Sequence, residues 1–211
     1  MRTVVATLFA LSALLSSCAN VRSDYSFEKG KNVGLIVGSV SFESGLGRYH
    51  LVIVNRSTSQ TFQLGFGCSM FPCLVQASDD DNYSRTETPK QRGGGYVIEV
   101  PEGEYRIVGW RVQQGYINSR SKAPIEIDFV VNPGAASYLG NLHFDADWEN
   151  VKLRDKSARD LPLLKKEYAV LQTTPLAYTI APNTEVSKIG GDYRRGIEGA
   201  PIFIPIVPVR R

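Results

Sequence analysis

Residues 96–112 read Tyr-Val-Ile-Glu-Val-Pro-Glu-Gly-Glu-Tyr-Arg-Ile-Val-Gly-Trp-Arg-Val. Two runs rich in β-branched and aromatic residues flank the turn-forming residues 101–103, which is typical of consecutive strands. In the second run Tyr105 and Arg106 begin an alternation in which both faces carry large side chains. A strand of this kind suits the centre of a β-sandwich, because both of its faces pack against other parts of the protein. The stretch therefore predicts a mainly β fold.

The same character recurs on both sides of this stretch. Residues 125–131 alternate apolar and acidic side chains, so their odd positions should face the core. A turn at residues 44–47 predicts that the two strands flanking it form an antiparallel hairpin. Together these runs predict an antiparallel β-sandwich with further strands at Val33–Phe42, Tyr49–Asn55, Gln60–Phe66, Ile125–Val131 and Ser137–Phe144.

The period changes near the C-terminus. Asp160 can cap a helix that carries Pro162 in its first turn, where a missing N–H is harmless. Apolar residues then fall at helical spacing and lysines take the opposite face, which predicts one amphipathic helix near residues 160–172. Residues 175–211 lack a clear period and end in a proline-rich run, so we expect an extended or disordered tail there.

The N-terminus carries a short apolar run, Val4–Leu15, after a single arginine. It suits a secretion signal and is too short to span a membrane. The residues that close it, Leu15-Ser16-Ser17-Cys18, resemble the signal of bacterial lipoproteins, in which small residues precede an obligatory cysteine. The resemblance implies that residues 1–17 are removed and that Cys18 carries fatty acyl chains such as palmitate. An ordinary cleaved signal peptide is the alternative.

The expected location follows from that resemblance. Several acyl chains give stable membrane attachment, since each buried methylene contributes about 0.8 kcal/mol. The residue after Cys18 is Ala19 and not aspartate, which by the same resemblance implies the outer membrane. Residues 18–32 are polar and mixed in charge, so we expect a tether that leads to a sandwich domain at residues 33–174.

Two cysteines remain once Cys18 is assigned to the lipid. Cys68 and Cys73 lie close in sequence, and outside the cytoplasm such a pair is expected to form a disulfide. A loop this short adds only about 2 kcal/mol in the chain-entropy treatment. A redox or metal-binding pair is the alternative, although the spacing is not Cys-x-x-Cys and no second ligand pair accompanies it.

Two segments carry a family resemblance. Residues 101–107 (Pro-Glu-Gly-Glu-Tyr-Arg-Ile) and 132–142 (Asn-Pro-Gly-Ala-Ala-Ser-Tyr-Leu-Gly-Asn-Leu) resemble a hairpin and a strand that recur in uncharacterised bacterial lipoproteins. The resemblance implies a prealbumin-like or carboxypeptidase-regulatory-like β-sandwich over residues 33–145. It implies a positive φ at Gly103 and inward-facing Tyr105 and Tyr138, and it supplies no catalytic residue.

Composition and motifs restrict the function. Lysine and arginine exceed the acids by only three, which argues against nucleic acid as a partner because phosphate binding needs a concentrated basic face. Both histidines, His50 and His143, lie inside predicted strands, and the chain has no Gly-x-Ser-x-Gly element of a serine hydrolase. His143, Asp145 and Asp147 alternate and are weak metal-ligand candidates, with a solvent-facing strand end as the simpler interpretation.

The sequence therefore predicts a lipid-anchored protein of the bacterial cell envelope that is not an enzyme and needs no cofactor. It would act as a binding or structural component, with the membrane and a protein or another envelope component as partners. A hydrolase of envelope polymers or a metal-dependent enzyme is the alternative.

Overall fold

The computed structural model describes residues 20–43, 47–67, 92–114, 117–146 and 150–197. In chain order the strands are β1 (Val33–Phe42), β2 (Arg48–Asn55), β3 (Thr61–Gly67), β4 (Arg92–Pro101), β5 (Gly103–Gln114), β6 (Ile117–Ser121), β7 (Ile127–Val131), β8 (Ala136–Phe144), β9 (Lys152–Arg154), β10 (Leu176–Tyr178), β11 (Glu185–Val186) and β12 (Tyr193–Ile197). Helix α1 (Ser157–Glu167) and a 3-10 helix (Ala169–Gln172) lie between β9 and β10.

The strands form two six-stranded sheets. Sheet A has the order β11-β9-β8-β1-β4, with β10 also paired to β8, and sheet B has the order β12-β6-β5-β2-β3, with β7 also paired to β5. Apolar side chains from both sheets form one core, including Ile36 and Leu142 of sheet A and Ile53 and Ile107 of sheet B, all fully buried. The predicted β-sandwich with one helix is confirmed.

A second apolar cluster covers the other face of sheet A. Leu35 and Val37 of β1 and Tyr138 of β8 contact Leu164 of α1 and Leu171 of the 3-10 helix. This explains why β1 is buried on both faces, a pattern that its nearly continuous apolar sequence permits.

A β-bulge in β5 decides which of its side chains enter the core. Val52 of β2 pairs with Gly109 while Ile53 pairs with Ile107, so Val108 is the extra residue. Beyond the bulge the alternation changes phase, and Trp110 turns inward to 1% exposure. Simple alternation from Tyr105 predicts the opposite face for Trp110, and that prediction is wrong.

The pairing of β1 differs from the predicted hairpin. β1 pairs with β4 and β8 in sheet A, whereas β2 lies in sheet B. Because both of its faces are buried, β1 takes an inner position in sheet A, and the next strand, β2, belongs to the other sheet. The β1 and β8 pair is parallel, as is β10 with β8, so the sandwich is not antiparallel throughout.

The turn at residues 101–103 also crosses between the sheets, from β4 in sheet A to β5 in sheet B. The hairpin that the family resemblance implies is therefore not a hydrogen-bonded pair. Gly103 has a φ of +150°, and a Cβ there would lie 3.0 Å from Asn55 Nδ2. The Tyr105 hydroxyl donates to the Pro101 carbonyl at 2.7 Å, which closes the turn.

The helix begins three residues earlier than the sequence indicates. Asp155, and not Asp160, provides the carboxylate at its start, with Oδ1 accepting from the Ser157 N–H at 2.9 Å. Asp160 lies inside the first turn and is fully buried. The α-helix ends at Glu167 and a 3-10 helix follows, so the expected helix over residues 160–172 is two elements.

The expected tether is wrong for residues 20–32, which lie against sheet A. Val21 donates its N–H to the Val97 carbonyl at 2.8 Å, and Tyr25 and Phe27 pack against the second apolar cluster. Burial of these apolar side chains stabilises the contact, although the segment is polar in its overall composition.

The boundary at residue 174 is also wrong. Residues 175–197 contribute β10, β11 and β12, which pair with β8, β9 and β6, so they belong to the sandwich. These strands are short and lie at sheet edges, where weak periodicity is tolerated. The predicted signal peptide at residues 1–17 and the proline-rich end beyond residue 197 lie outside the described residues.

Candidate functional site

A polar network lies on the outer face of sheet A, beside the start of α1. We define it as Ser39, Ser41, Glu43, Tyr138, Asn141, His143, Arg154, Arg159 and Asp160. All of these residues except Glu43 and Arg159 are buried, and hydrogen bonds link the set. A group of this size in a face that is otherwise apolar is the strongest candidate for a site among the described residues.

A bulge at Gly140 brings Asn141 and His143 into this network. Val37 pairs with Tyr138 while Ser39 pairs with Asn141, so β8 gains one residue and its alternation changes phase. Gly140 has a φ of +96°, and a Cβ there would lie 2.7 Å from the Arg154 carbonyl oxygen. Only glycine fits this position.

A serine, a histidine and a glutamate are in line at one end of the network. Ser41 Oγ lies 2.9 Å from His143 Nδ1, and His143 Nε2 lies 3.3 Å from Glu43 Oε1. A neutral imidazole with its proton on Nε2 satisfies both contacts, donating to Glu43 and accepting from Ser41. The set has the residue types of a hydrolytic triad.

The burial of the three groups is the reverse of what nucleophilic catalysis needs. Ser41 is fully buried, His143 has a side chain 4% exposed, and Glu43 has a side chain 35% exposed. A catalytic serine must reach the substrate, while its acid partner can be buried. Ser41 Oγ also lies 3.1 Å from Asn141 Oδ1 and 3.4 Å from Arg154 Nη2. Ser41 and His143 are therefore hydrogen-bonded side chains of the protein interior, where a substrate does not reach them.

Asp160 is the centre of the other end. Its Oδ2 accepts from Ser39 Oγ at 2.6 Å and from the Tyr138 hydroxyl at 2.7 Å, and its Oδ1 accepts from Arg159 Nε at 2.8 Å. Asn141 connects the two ends, since its Nδ2 donates to Ser39 Oγ at 2.8 Å and its Oδ1 accepts from Arg154 Nη2 at 2.9 Å.

The network contains two guanidinium groups and two carboxyl groups. Buried charges are tolerated when they are paired and hydrogen-bonded. Burial, followed by the negative charge of Asp160, raises the pKa of the Tyr138 and Tyr96 hydroxyls well above the usual range. Both tyrosines therefore remain protonated donors at any physiological pH.

The sequence pattern identifies His143 as a candidate but does not identify most of its partners. A usable signal exists in two places: Ser39 and Ser41 alternate within an apolar strand, and Asn141 and His143 do the same in another. Polar residues at alternate positions of strands buried on both faces indicate a shared polar layer. Arg154, Arg159 and Asp160 carry no such pattern, because their meeting depends on how α1 packs.

The metal-ligand candidates do not converge in the described residues. His143 faces Ser41 and Glu43, whereas Asp145 follows the end of β8, and Asp147 lies outside the described residues. No group of three or more histidine, cysteine or acidic side chains within the described ranges is arranged to hold a metal ion.

The cysteines all fall where the structure gives no description. Cys18, the predicted lipidation site, and Cys68 and Cys73, the predicted disulfide, lie outside the described residues. Of the helices in the described ranges, none combines the length and hydrophobicity needed to cross a membrane.

His50, the other histidine, lies on the outer face of sheet B. Burial, then the positive charges of Arg48 and Arg111, lowers its pKa to about 4. Its Nδ1 is buried and has no hydrogen-bond partner among the described residues. The folded protein therefore holds this imidazole neutral.

This depressed pKa predicts a specific pH dependence of stability. Between pH 4 and 6.5 the unfolded state binds the His50 proton and the folded state does not, so stability should fall as the pH falls through this window. Urea unfolding midpoints measured from pH 7 to pH 4 should decline more steeply for the wild type than for His50→Gln. Parallel declines in the two proteins would contradict the assignment.

No family model and no curated protein matches the chain. One solved structure, a leucine-rich repeat protein from Bacteroides thetaiotaomicron, aligns over 56% of this chain at 14% identity with a TM-score of 0.33. The matched region spans 15% of that protein.

Proposed function

We propose that this chain is a lipid-anchored, non-enzymatic component of the bacterial cell envelope, held by acyl chains on Cys18 and acting through binding or structural contacts. The observation that carries the proposal is the sequence Leu15-Ser16-Ser17-Cys18 after a short apolar run. Several acyl chains provide attachment that one chain alone does not.

The folded domain starts directly after the proposed anchor. Asn20 is already fixed to the sandwich, since its Oδ1 accepts from the Val97 N–H at 3.1 Å. The fold therefore begins next to the proposed attachment point.

The polar network supports a role that does not involve catalysis. Ser41 is fully buried and Glu43 is partly exposed, so the hydroxyl that would act as the nucleophile cannot reach a substrate. The hydrogen bonds of Asp160 to Ser39 and Tyr138 instead join α1 to sheet A. The envelope partner would then be bound through the surface of a rigid sandwich, as in many domains whose loops carry the function.

Replacing Cys18 tests the anchor. Cys18→Ala should move the protein from the membrane fraction to the soluble fraction and abolish incorporation of labelled palmitate, because the acyl chains have no other attachment point. The measurement is fractionation after a high-salt wash, together with the label. The matched control is Cys68→Ala/Cys73→Ala, which removes two cysteines and should retain both membrane attachment and label. Continued membrane attachment of Cys18→Ala would contradict the proposal.

A further inference from the structure

Residues 20–32, which we call the N-terminal strap, are bound to the edge of sheet A. Val97 of β4 makes two hydrogen bonds with the strap's start: its carbonyl accepts from the Val21 N–H at 2.8 Å, and its N–H donates to Asn20 Oδ1 at 3.1 Å. At the strap's other end the Glu102 N–H donates to the Asn32 carbonyl at 2.9 Å. The strap therefore starts at the open edge of β4 and crosses the outer face of sheet A to enter β1, whose first residue, Val33, pairs with Pro101.

Side chains hold the strap as well. Val21, Tyr25 and Phe27 pack against the second apolar cluster, and the Tyr25 and Phe27 rings meet edge to face at 5.6 Å. The Tyr25 hydroxyl hydrogen-bonds the Glu99 carboxylate. Partial burial of three large apolar side chains gives the strap a hydrophobic contribution that a flexible linker lacks.

Covalent geometry then limits the distance between the sandwich and a lipid on Cys18. Only Ala19 separates Cys18 from Asn20. Two residues of extended chain span at most about 7 Å. Acyl chains on Cys18 must enter the bilayer within this reach of the β4 edge, which is too short for the domain to stand away from the membrane.

We propose that the sandwich lies directly on the phospholipid surface, with the β4 edge and the C-terminal end of α1 against the lipid headgroups. This inference rests on the proposed lipid anchor. Tyr168, directly after α1, belongs to the second apolar cluster, against which Val21 of the strap packs, so the end of α1 lies near the attachment point. The headgroup surface therefore meets a helix end as well as a sheet edge.

The last turn of α1 carries a net positive charge. Lys165 and Lys166 are exposed there beside one exposed acid, Glu167, all within three residues of Tyr168. Each lysine near an anionic lipid surface contributes about 1 kcal/mol of attraction. The opposite edge points into the aqueous phase: β11 is four strands from β4, roughly 19 Å at the usual strand spacing. That edge remains accessible to an envelope partner.

Lysine footprinting tests the contact. The acylated full-length chain is placed in vesicles of phosphatidylethanolamine and phosphatidylglycerol, labelled with a water-soluble amine reagent and analysed by mass spectrometry. Lys165 and Lys166 should be modified several-fold more slowly than in soluble Cys18→Ala protein. Lys188, which follows β11, and Lys122, on the turn after β6, are the internal controls and should react equally in both proteins.

A linker variant supplies the matched control. A flexible Gly/Ser insertion of about twenty residues after Ala19 spans about 25 Å on average, so it keeps the lipid and frees the domain. It should restore the modification of Lys165 and Lys166 to the soluble rate. Equal rates in wild-type, linker and Cys18→Ala proteins, with the wild type still cosedimenting with vesicles, would overturn the contact alone. Loss of cosedimentation would refute the anchor and the contact together.

Discussion

Asp160→Ala is expected to lower the free energy of unfolding by about 3–5 kcal/mol, the range for removing one member of a buried, paired set of charges. The carboxylate is fully buried and accepts from Ser39, Tyr138 and Arg159. Removing it takes away the acceptor that the two buried hydroxyls and Arg159 Nε share. Urea unfolding followed by circular dichroism measures the change.

Two further variants determine the cause of this loss. Asp160→Asn keeps the side-chain shape and an acceptor oxygen, so it should lose less stability than alanine. Asp24→Ala removes an exposed carboxylate, 69% accessible and paired with Arg22, and should change stability by under about 0.5 kcal/mol. If Asp160→Ala is as mild as Asp24→Ala, the network does not hold α1 on the sheet.

Trp110→Ala is expected to lower the free energy of unfolding by about 3–5 kcal/mol, the range for truncating a large aromatic core residue. The indole is 1% exposed and meets the Phe144 ring edge to face at 5.8 Å. Its Nε1 donates to the Ile189 carbonyl at 2.7 Å, so it also holds the segment between β11 and β12. Urea unfolding measures the loss of stability.

Trp110→Phe isolates that hydrogen bond, because it keeps an aromatic ring in the core. It should lose less stability, and amide hydrogen exchange should increase at Ile189 and Gly191, whose N–H groups donate to Val151 and Lys188. Val130→Ala, at a side chain that is 50% exposed, is the control and should change stability little. Unchanged exchange at Ile189 in Trp110→Phe would show that the indole N–H does not secure this segment.

Most strands could be located from local pattern. β1 and β7 match their predicted positions closely, because β-branched residues and alternation are properties of a few consecutive residues. Tyr105 packs in the core between the sheets as expected, whereas Tyr138 is equally buried on the outer face of sheet A beneath α1. Their hydroxyls are satisfied by Pro101 and Asp160. The helix was recognisable from its spacing, although its start was not.

Local sequence pattern does not predict which strands pair with each other. Residues 44–47 have the composition of a hairpin turn, yet β1 pairs with β4 and β8, because this inner position buries both of its faces. The strap at residues 20–32 has the composition of a tether, because three apolar side chains pack on the sheet within a mostly polar segment. Pairing depends on the free energy of the whole arrangement, which no local window contains.

The amino-acid order alone specified the β-rich class, the amphipathic helix and the lipoprotein-like signal, since each depends on neighbouring residues and their spacing. The polar network required the folded structure. The bulges at Gly140 and Val108 change the phase of β8 and β5, which turns His143 towards Ser41 and Trp110 into the core. A bulge exists only between two paired strands, so the face on which these side chains lie is decided by tertiary pairing and not by sequence alternation.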